Sequence, residues 1–277
     1  MEIIACPCCH AMDYDLWAEE SGFAVVRCNA CRLLYVNPRP SLDYIGDAVT
    51  SGEHRLSGKA INVRSRRSSS KISHYKSQFR SVLSDVILAG KPVRWVDVGC
   101  GYGELIEALI EILPKGSEIK GVEPMEHKAL SARSRGLDVH LGYLENEQFE
   151  ADFISNIDVF SHIPDYHSFL QIVVSNLAPR GEFIMETGNL ADLARVEEMP
   201  NELGVPDHLV FGGRDSFRIY FDRAGLEVVS CKEIRFDTSI QMAKNLIKIL
   251  LGRNARVSMP YTSAYRQLIM RTRSAKA

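Results

Sequence analysis

The chain has 277 residues, 45% apolar and 25% charged, with 19 Gly and 11 Pro, a composition that suits a globular protein and excludes a disordered or fibrous one. A formal net charge of −2 and a pI near 6.5 leave no global surface for a polyanion, so any nucleic-acid contact would have to come from a local patch. No apolar run approaches the roughly 18 residues of a membrane span, and Met1–Cys9 lacks the basic start and apolar core of a secretory signal, so the expected location is cytoplasmic.

Four of the seven cysteines form two pairs of one spacing, Cys6 with Cys9 and Cys28 with Cys31. In a reducing compartment such pairs read as a metal site rather than a disulfide framework. The 18 residues between Cys9 and Cys28 suit a four-cysteine zinc ribbon. Four thiolates complete a tetrahedral shell with no open position, so the expected zinc is structural. A unit this small buries too little apolar surface to fold well alone, and the metal would make up the deficit. His10 and Arg32 stand where such turns usually prefer Gly, and Cys8 competes with Cys6 or Cys9 for the site. The ribbon is expected over residues 1–45, with an apolar stretch Leu33–Val36 closed by Asn37-Pro38-Arg39-Pro40.

Residues 46–88 read as a basic linker and a leading helix. Arg55, Lys59, Arg64, Arg66, Arg67, Lys71, Lys76 and Arg80 face one acid, Glu53, and then Phe79, Val82, Leu83, Val86 and Ile87 recur at helical spacing. A solvated linker is the reading favoured over a docking surface for an acidic acceptor, because aromatics enter only at Tyr75 and Phe79. Over residues 89–277 strands and helices alternate. Strands are expected at Trp95–Val98, Glu118–Val122, Leu137–His140, Phe153–Phe160, Glu182–Thr187, Leu226–Val229 and Tyr265–Thr272. Helices are expected at Leu105–Leu113, Lys128–Arg135, Tyr166–Leu177 and Ser216–Ala224, with a polar insert after Asn189. The pattern predicts an α/β fold: a Rossmann-like, doubly wound, mostly parallel sheet, preceded by the small ribbon module. Ser239–Leu251 is amphipathic and reads as a lid or a homodimer helix, with membrane-surface contact as a further option.

The turn Gly99-Cys100-Gly101-Tyr102-Gly103 follows the first strand of that sheet and opens a helix. Alternate glycines let the backbone approach a ligand where a Cβ would collide. Glu123, 20 residues after Gly103, ends the next strand, where a carboxylate accepts ribose hydroxyls. Asp97 beside the loop would repel a diphosphate and suits a cationic ligand, which favours a sulfonium carrying an α-amino group over a dinucleotide.

On these residues the chain resembles the class I S-adenosylmethionine-dependent methyltransferases. The stretch Asp152–Asp165 is similar to that family's fourth-strand segment, and Leu177–Glu182 to the turn before its fifth strand. The resemblance covers about residues 75–273. It implies that Asp97, Gly99 and Gly101 hold the amino-acid part of S-adenosylmethionine, Glu123 the ribose, and Pro124 and Met125 one adenine face. Tyr143, Leu144 and Glu145 would lie near the adenine edge, and Asn156 and Ile157 on the methionine side. Cys28-Asn29-Ala30-Cys31 running into Asn37-Pro38-Arg39-Pro40, together with Asp207–Phe211 and Ala224–Val229, resembles the branch of this family with a zinc ribbon in front. That branch is associated with glycan and natural-product modification.

Methyl transfer is an in-line displacement, so a base is needed only where the nucleophile carries a proton. His162, after the fourth strand, and His208, in the polar insert, are the candidate catalytic residues; each is also explained by a structural hydrogen bond. Glu186 and Asn189, at the end of the fifth strand, are placed to orient an acceptor, and Glu186 is equally well explained as a fold-stabilising hydrogen-bond acceptor. The expected function is methyl transfer from S-adenosylmethionine to a small molecule or glycan, on oxygen. The alternatives are an rRNA base methyltransferase with a zinc-finger recognition module, and a non-catalytic cofactor-binding docking protein.

Overall fold

A computed structural model describes residues 1–56, 59–62, 66–199, 201–235, 239–252 and 262–275; the side chains of residues 54–65 and of residue 241 lie outside the described ones. The cations Arg55, Lys59 and Arg64 of the basic stretch therefore fall outside the described side chains.

The N-terminal unit begins with β1 (Tyr14–Glu20) and β2 (Phe23–Cys28). They are joined by Ser21 and Gly22, whose φ values of 52° and 82° give the left-handed two-residue turn that matches strand twist. After β3 (Leu34–Val36) comes α1 (Leu42–Ser51), capped by the Ser41 hydroxyl at its start and by Gly52 at its end. A hairpin of β4 (Glu53–Leu56) and β5 (Lys59–Asn62) leads into α2 (Ser69–Val82) and α3 (Ser84–Ala89). Arg67 pairs with Glu107 and Lys76 with Glu111, which ties α2 along the helix that follows the glycine turn.

The large domain comprises β6 (Arg94–Val98), α4 (Glu104–Ile112), β7 (Glu118–Glu123), α5 (Glu126–Arg133), β8 (Val139–Leu141) and β9 (Ala151–Ile157). It continues through α6 (Tyr166–Asn176), β10 (Leu177–Gly188), β11 (Val210–Phe211), α7 (Arg214–Ala224), β12 (Leu226–Arg235), α8 (Ser239–Leu250) and β13 (Arg266–Ser274). The seven-stranded sheet has the order β12-β13-β10-β9-β6-β7-β8. Its pairs are parallel except around β13, which runs antiparallel to β10 and β12. The expected Rossmann-like, mostly parallel sheet is what the chain forms. Winding reverses between β6 and β9, and a crevice opens beyond the strand ends there, the general ligand position of such sheets. Trp95 on β6 stacks on Phe153 of β9 at 5.0 Å and fixes the floor beneath it.

Two differences from the sequence expectation place the site. The fourth strand stops at Ile157 instead of Phe160, because Asp158 turns the chain with a φ of 58°. Phe160–His162 then forms a 3-10 turn. The polar insert carries β11, which pairs with β3 through Val210 with Tyr35 and Phe211 with Leu34, so the four-stranded N-terminal sheet takes its last strand from the insert. One apolar core joins Cys6, Leu33 and Tyr35 to Phe160, Tyr166, Phe217 and Tyr220. The Cys8 carbonyl accepts from His167 Nε2 at 2.7 Å and from Arg223 Nη1 at 2.8 Å, tying the cysteine loop to α6 and α7. Among the described residues no helix is long and apolar enough to cross a membrane. Ile240, Ile247 and Leu250 of α8 are exposed.

Candidate active site and metal centre

The glycine turn takes its shape from three left-handed residues, Gly99, Gly101 and Gly103, at φ 71°, 57° and 80°. A Cβ on Gly99 would meet Val159 Cγ2 at 2.6 Å, and one on Gly103 would meet Leu137 Cδ1 at 2.5 Å. A Cβ on Gly101 would meet nothing within 4 Å, so this residue faces open space. Glu123, 4% exposed, accepts the Gly101 N–H on Oε2 at 2.7 Å and the Met125 N–H on Oε1 at 3.0 Å. One carboxylate therefore braces both the loop after β6 and the turn after β7.

Above this turn lies a cavity of about 630 Å³, within the range that takes a drug-sized ligand. Gly99, Gly101, Glu123, Pro124, Met125, Leu144 and Ile157 of the expected cofactor residues line it, as do Tyr143 and Glu145. Asp97 and Asn156 are not on its wall. Asp97 lies behind the loop and accepts the Ser155 hydroxyl at 2.6 Å; Ser155 Oγ in turn accepts Trp95 Nε1 at 2.8 Å. Burial pushes the Asp97 carboxyl up to about 7, against the Ser155 bond that favours its charge. Asn156 is 0% exposed, with neither amide atom hydrogen-bonded. Glu186 is also buried behind the wall, and burial with Asp158 nearby raises it to about 7.

These features fit S-adenosylmethionine. An open backbone face at Gly101 admits close approach, Glu123 keeps lone pairs for ribose hydroxyls, and Met125 and Leu144 give apolar surface for a flat ring.

His162 and His208 come together, with ring centroids 4.7 Å apart, around Asp207. His162 and Asp207 line the cavity, whereas His208 does not. His162 Nδ1 lies 2.9 Å from the Asp207 carbonyl and 3.4 Å from its carboxylate, and His208 Nδ1 lies 2.7 Å from the Leu203 carbonyl. A carbonyl only accepts, so each Nδ1 carries the proton and each Nε2 keeps a lone pair. Burial works to lower the His162 pKa, but the Asp207 carboxylate and carbonyl together outweigh it, and the value rises above the usual 6.5. His208 falls below it, through burial and the neighbouring His162.

Sequence reasoning missed Lys71 and Tyr75 on α2, Asp158 after β9, and Leu42, Ile45 and Val49 on α1, all of which line the cavity. The spacing of Leu42, Ile45 and Val49 was an available signal of a helix with one apolar face.

In the N-terminal unit, one sulfur from each of Cys6, Cys9, Cys28 and Cys31 lies within 4.8 Å of the others. The Cys6–Cys31 and Cys9–Cys28 sulfurs are 3.4 Å apart, too far for disulfides. A tetrahedral ion with bonds of about 2.3 Å needs sulfur separations of about 3.8 Å, so the donor set fits zinc. The two loops share one backbone pattern. Cys6 N–H donates to the Ala11 carbonyl and His10 N–H to that of Cys6; Cys28 N–H donates to the Leu33 carbonyl and Arg32 N–H to that of Cys28. His10 and Arg32 take the left-handed conformation, at φ 64° and 65°, that such turns usually give to Gly. Cys8 stays outside the set, with its sulfur 3.7 Å from the Ser216 carbonyl.

A family profile described as a methyltransferase domain matches residues 65–231. A ubiquinone biosynthesis O-methyltransferase from Histophilus somni (strain 2336) is 29% identical over 108 residues, 34% of this chain and 44% of that protein. The match thus spans less than half of that relative's length. Among solved structures, geranyl diphosphate C-methyltransferase from Streptomyces coelicolor A3(2) superposes with a TM-score of 0.55 at 13% identity, over 72% of this chain and 79% of that one. The [4+2]-cyclase SpnF does so with a TM-score of 0.53 at 15% identity, over 72% and 82%. These likenesses show the fold, and the cyclase among them illustrates that a fold alone does not name a reaction. The profile match runs from the residues before α2 into β12 and takes in the whole winding-reversal half of the sheet with its glycine turn. The chain therefore belongs to the family of S-adenosylmethionine-dependent methyltransferases.

Proposed function

We propose that the chain methylates an oxygen of a small-molecule or glycan acceptor in the cytoplasm, with His162 as general base and with Cys6, Cys9, Cys28 and Cys31 holding a structural zinc. S-adenosylmethionine supplies the electrophilic methyl carbon when bound. Glu123 accepts the ribose hydroxyls, the Gly99 to Gly101 backbone receives the amino-acid part, and Met125 and Leu144 flank the adenine. Asp97, from behind the loop, accepts the Ser155 hydroxyl and holds the end of β6 against β9. Lys71, Tyr75 and Asp158 line the same cavity and leave room for a polar acceptor.

The observation that carries this reading is the state of His162. It lies on the cavity wall with Nδ1–H directed at the Asp207 carbonyl, which leaves Nε2 to take the acceptor's proton. His208 packs against that ring and is a positioning residue. The partial match to an O-methyltransferase supports oxygen as the acceptor atom.

His162→Asn is expected to lower kcat by about 10²- to 10⁴-fold, the usual contribution of a positioned base. The base must be neutral, so wild-type kcat should rise with pH through an apparent pKa above 6.5, and that limb should vanish in the variant. Turnover equal to wild type with the limb intact would remove His162 from the chemistry.

A further inference from the structure

The residue that follows β9 is left-handed without being glycine. Asp158, at φ 58°, adopts a conformation that L side chains rarely hold, and such outliers persist where surrounding contacts over-determine them. Here the contacts are specific. Asp158 N–H donates to the Glu186 carbonyl at 3.0 Å, and Gln267 Nε2 donates to Asp158 Oδ1 at 2.7 Å. The Gln267 amide is itself oriented, because its Oε1 accepts the Tyr265 hydroxyl at 3.2 Å. The result is an exposed carboxylate presented into the cavity, on the wall that carries His162 one turn further on. No cofactor role has been given to it.

We infer that Asp158 recognises the acceptor by accepting a hydrogen bond from a second hydroxyl beside the one methylated, so that the acceptor is a vicinal diol. This rests on the O-methyl transfer proposed above. Both groups on this wall are acceptors: His162 through Nε2, and Asp158 through the oxygen that Gln267 leaves over. Two hydrogen-bond acceptors on one cavity wall call for two donors on the bound molecule, and a molecule with a single hydroxyl would desolvate the carboxylate with nothing in return. Burial raises the Asp158 carboxyl above its ordinary value, and Lys71, which lines the same cavity, opposes that rise as a positive charge, so the missing donor is a neutral hydroxyl rather than a second cation.

The test compares two matched pairs of probes, catechol with phenol and cis-1,2-cyclohexanediol with cyclohexanol. Release of S-adenosylhomocysteine is followed for wild type, Asp158→Asn and Asp158→Ala. Asn tolerates the left-handed backbone best after Gly, so Asp158→Asn removes the charge without adding strain, and Asp158→Ala checks that the amide has not substituted for it. In wild type, at least one diol should exceed its partner in kcat/KM by about ten- to a hundredfold, the range for one hydrogen bond to a charged group. Most of that should appear in KM, and the ratio should fall to about twofold or less in both variants. Which pair shows the preference separates an aromatic diol from a saturated-ring diol of the kind a sugar carries. Equal turnover of diol and single hydroxyl in wild type, or a preference that survives both substitutions, overturns the inference while O-methyl transfer stands. Transfer to none of the four probes overturns both.

Discussion

Glu123→Ala is expected to abolish measurable S-adenosylmethionine binding while leaving the sheet folded. The side chain does two jobs at once. Its oxygens satisfy the Gly101 and Met125 N–H groups, and its remaining lone pairs face the cavity. Truncation leaves two backbone donors without their partner, at about 1–3 kcal/mol each, and removes charge-assisted bonds to the ribose worth about 1.5–3 kcal/mol each. The backbone cost falls on stability, while two ribose bonds at the lower figure, about 3 kcal/mol, predict a loss of over a hundredfold in affinity. Glu123→Gln, which keeps one acceptor, should bind more weakly than wild type and better than Glu123→Ala. Equilibrium dialysis with labelled cofactor measures both, and circular dichroism verifies the fold.

Cys28→Ser is expected to release the metal and unfold the N-terminal sheet. Cys28 ends β2, its sulfur faces that of Cys9, and its N–H closes the second cysteine loop onto Leu33. Metal binding contributes roughly 10–16 kcal/mol apparent in small zinc modules, as much as the whole stability of a typical domain. Native mass spectrometry should show one zinc per chain in wild type and none in the variant. Hydrogen exchange should accelerate across β1, β2 and β3. The damage should also reach the cofactor cavity, because Leu42, Ile45 and Val49 of α1 line it immediately after the Asn37–Pro40 ending of the module. A variant that retains zinc, or that loses it with unchanged exchange, would remove the metal from the fold's support.

The parts of the molecule legible from residues alone are those whose signal is local. Trp95–Val98, the glycine turn and Glu123 announce themselves by a short apolar run, alternate glycines and a strand-end acid, and the structure gathers them at one point of the sheet. The cysteine pairs are legible for the same reason. What was not legible depends on partners distant in sequence. β11 is two residues long, too short for any periodicity, and pairs with a strand far upstream. Asp158 reads as an ordinary end-of-strand acid until Gln267 and the Glu186 carbonyl are seen to hold it left-handed. Asp97 shows the converse. Its position in the motif is plain, but its carboxylate turns to Ser155, because Trp95 and Ser155 on adjacent strands form a buried polar chain.

The central claim is that the cavity above Gly101 binds S-adenosylmethionine through Glu123, and calorimetric titration of the full-length protein with S-adenosylhomocysteine tests it most directly. One molecule should bind saturably per chain, with no detectable heat of binding for Glu123→Ala at the same concentrations. Absence of binding to the wild type, or binding of equal affinity by both proteins, would contradict it.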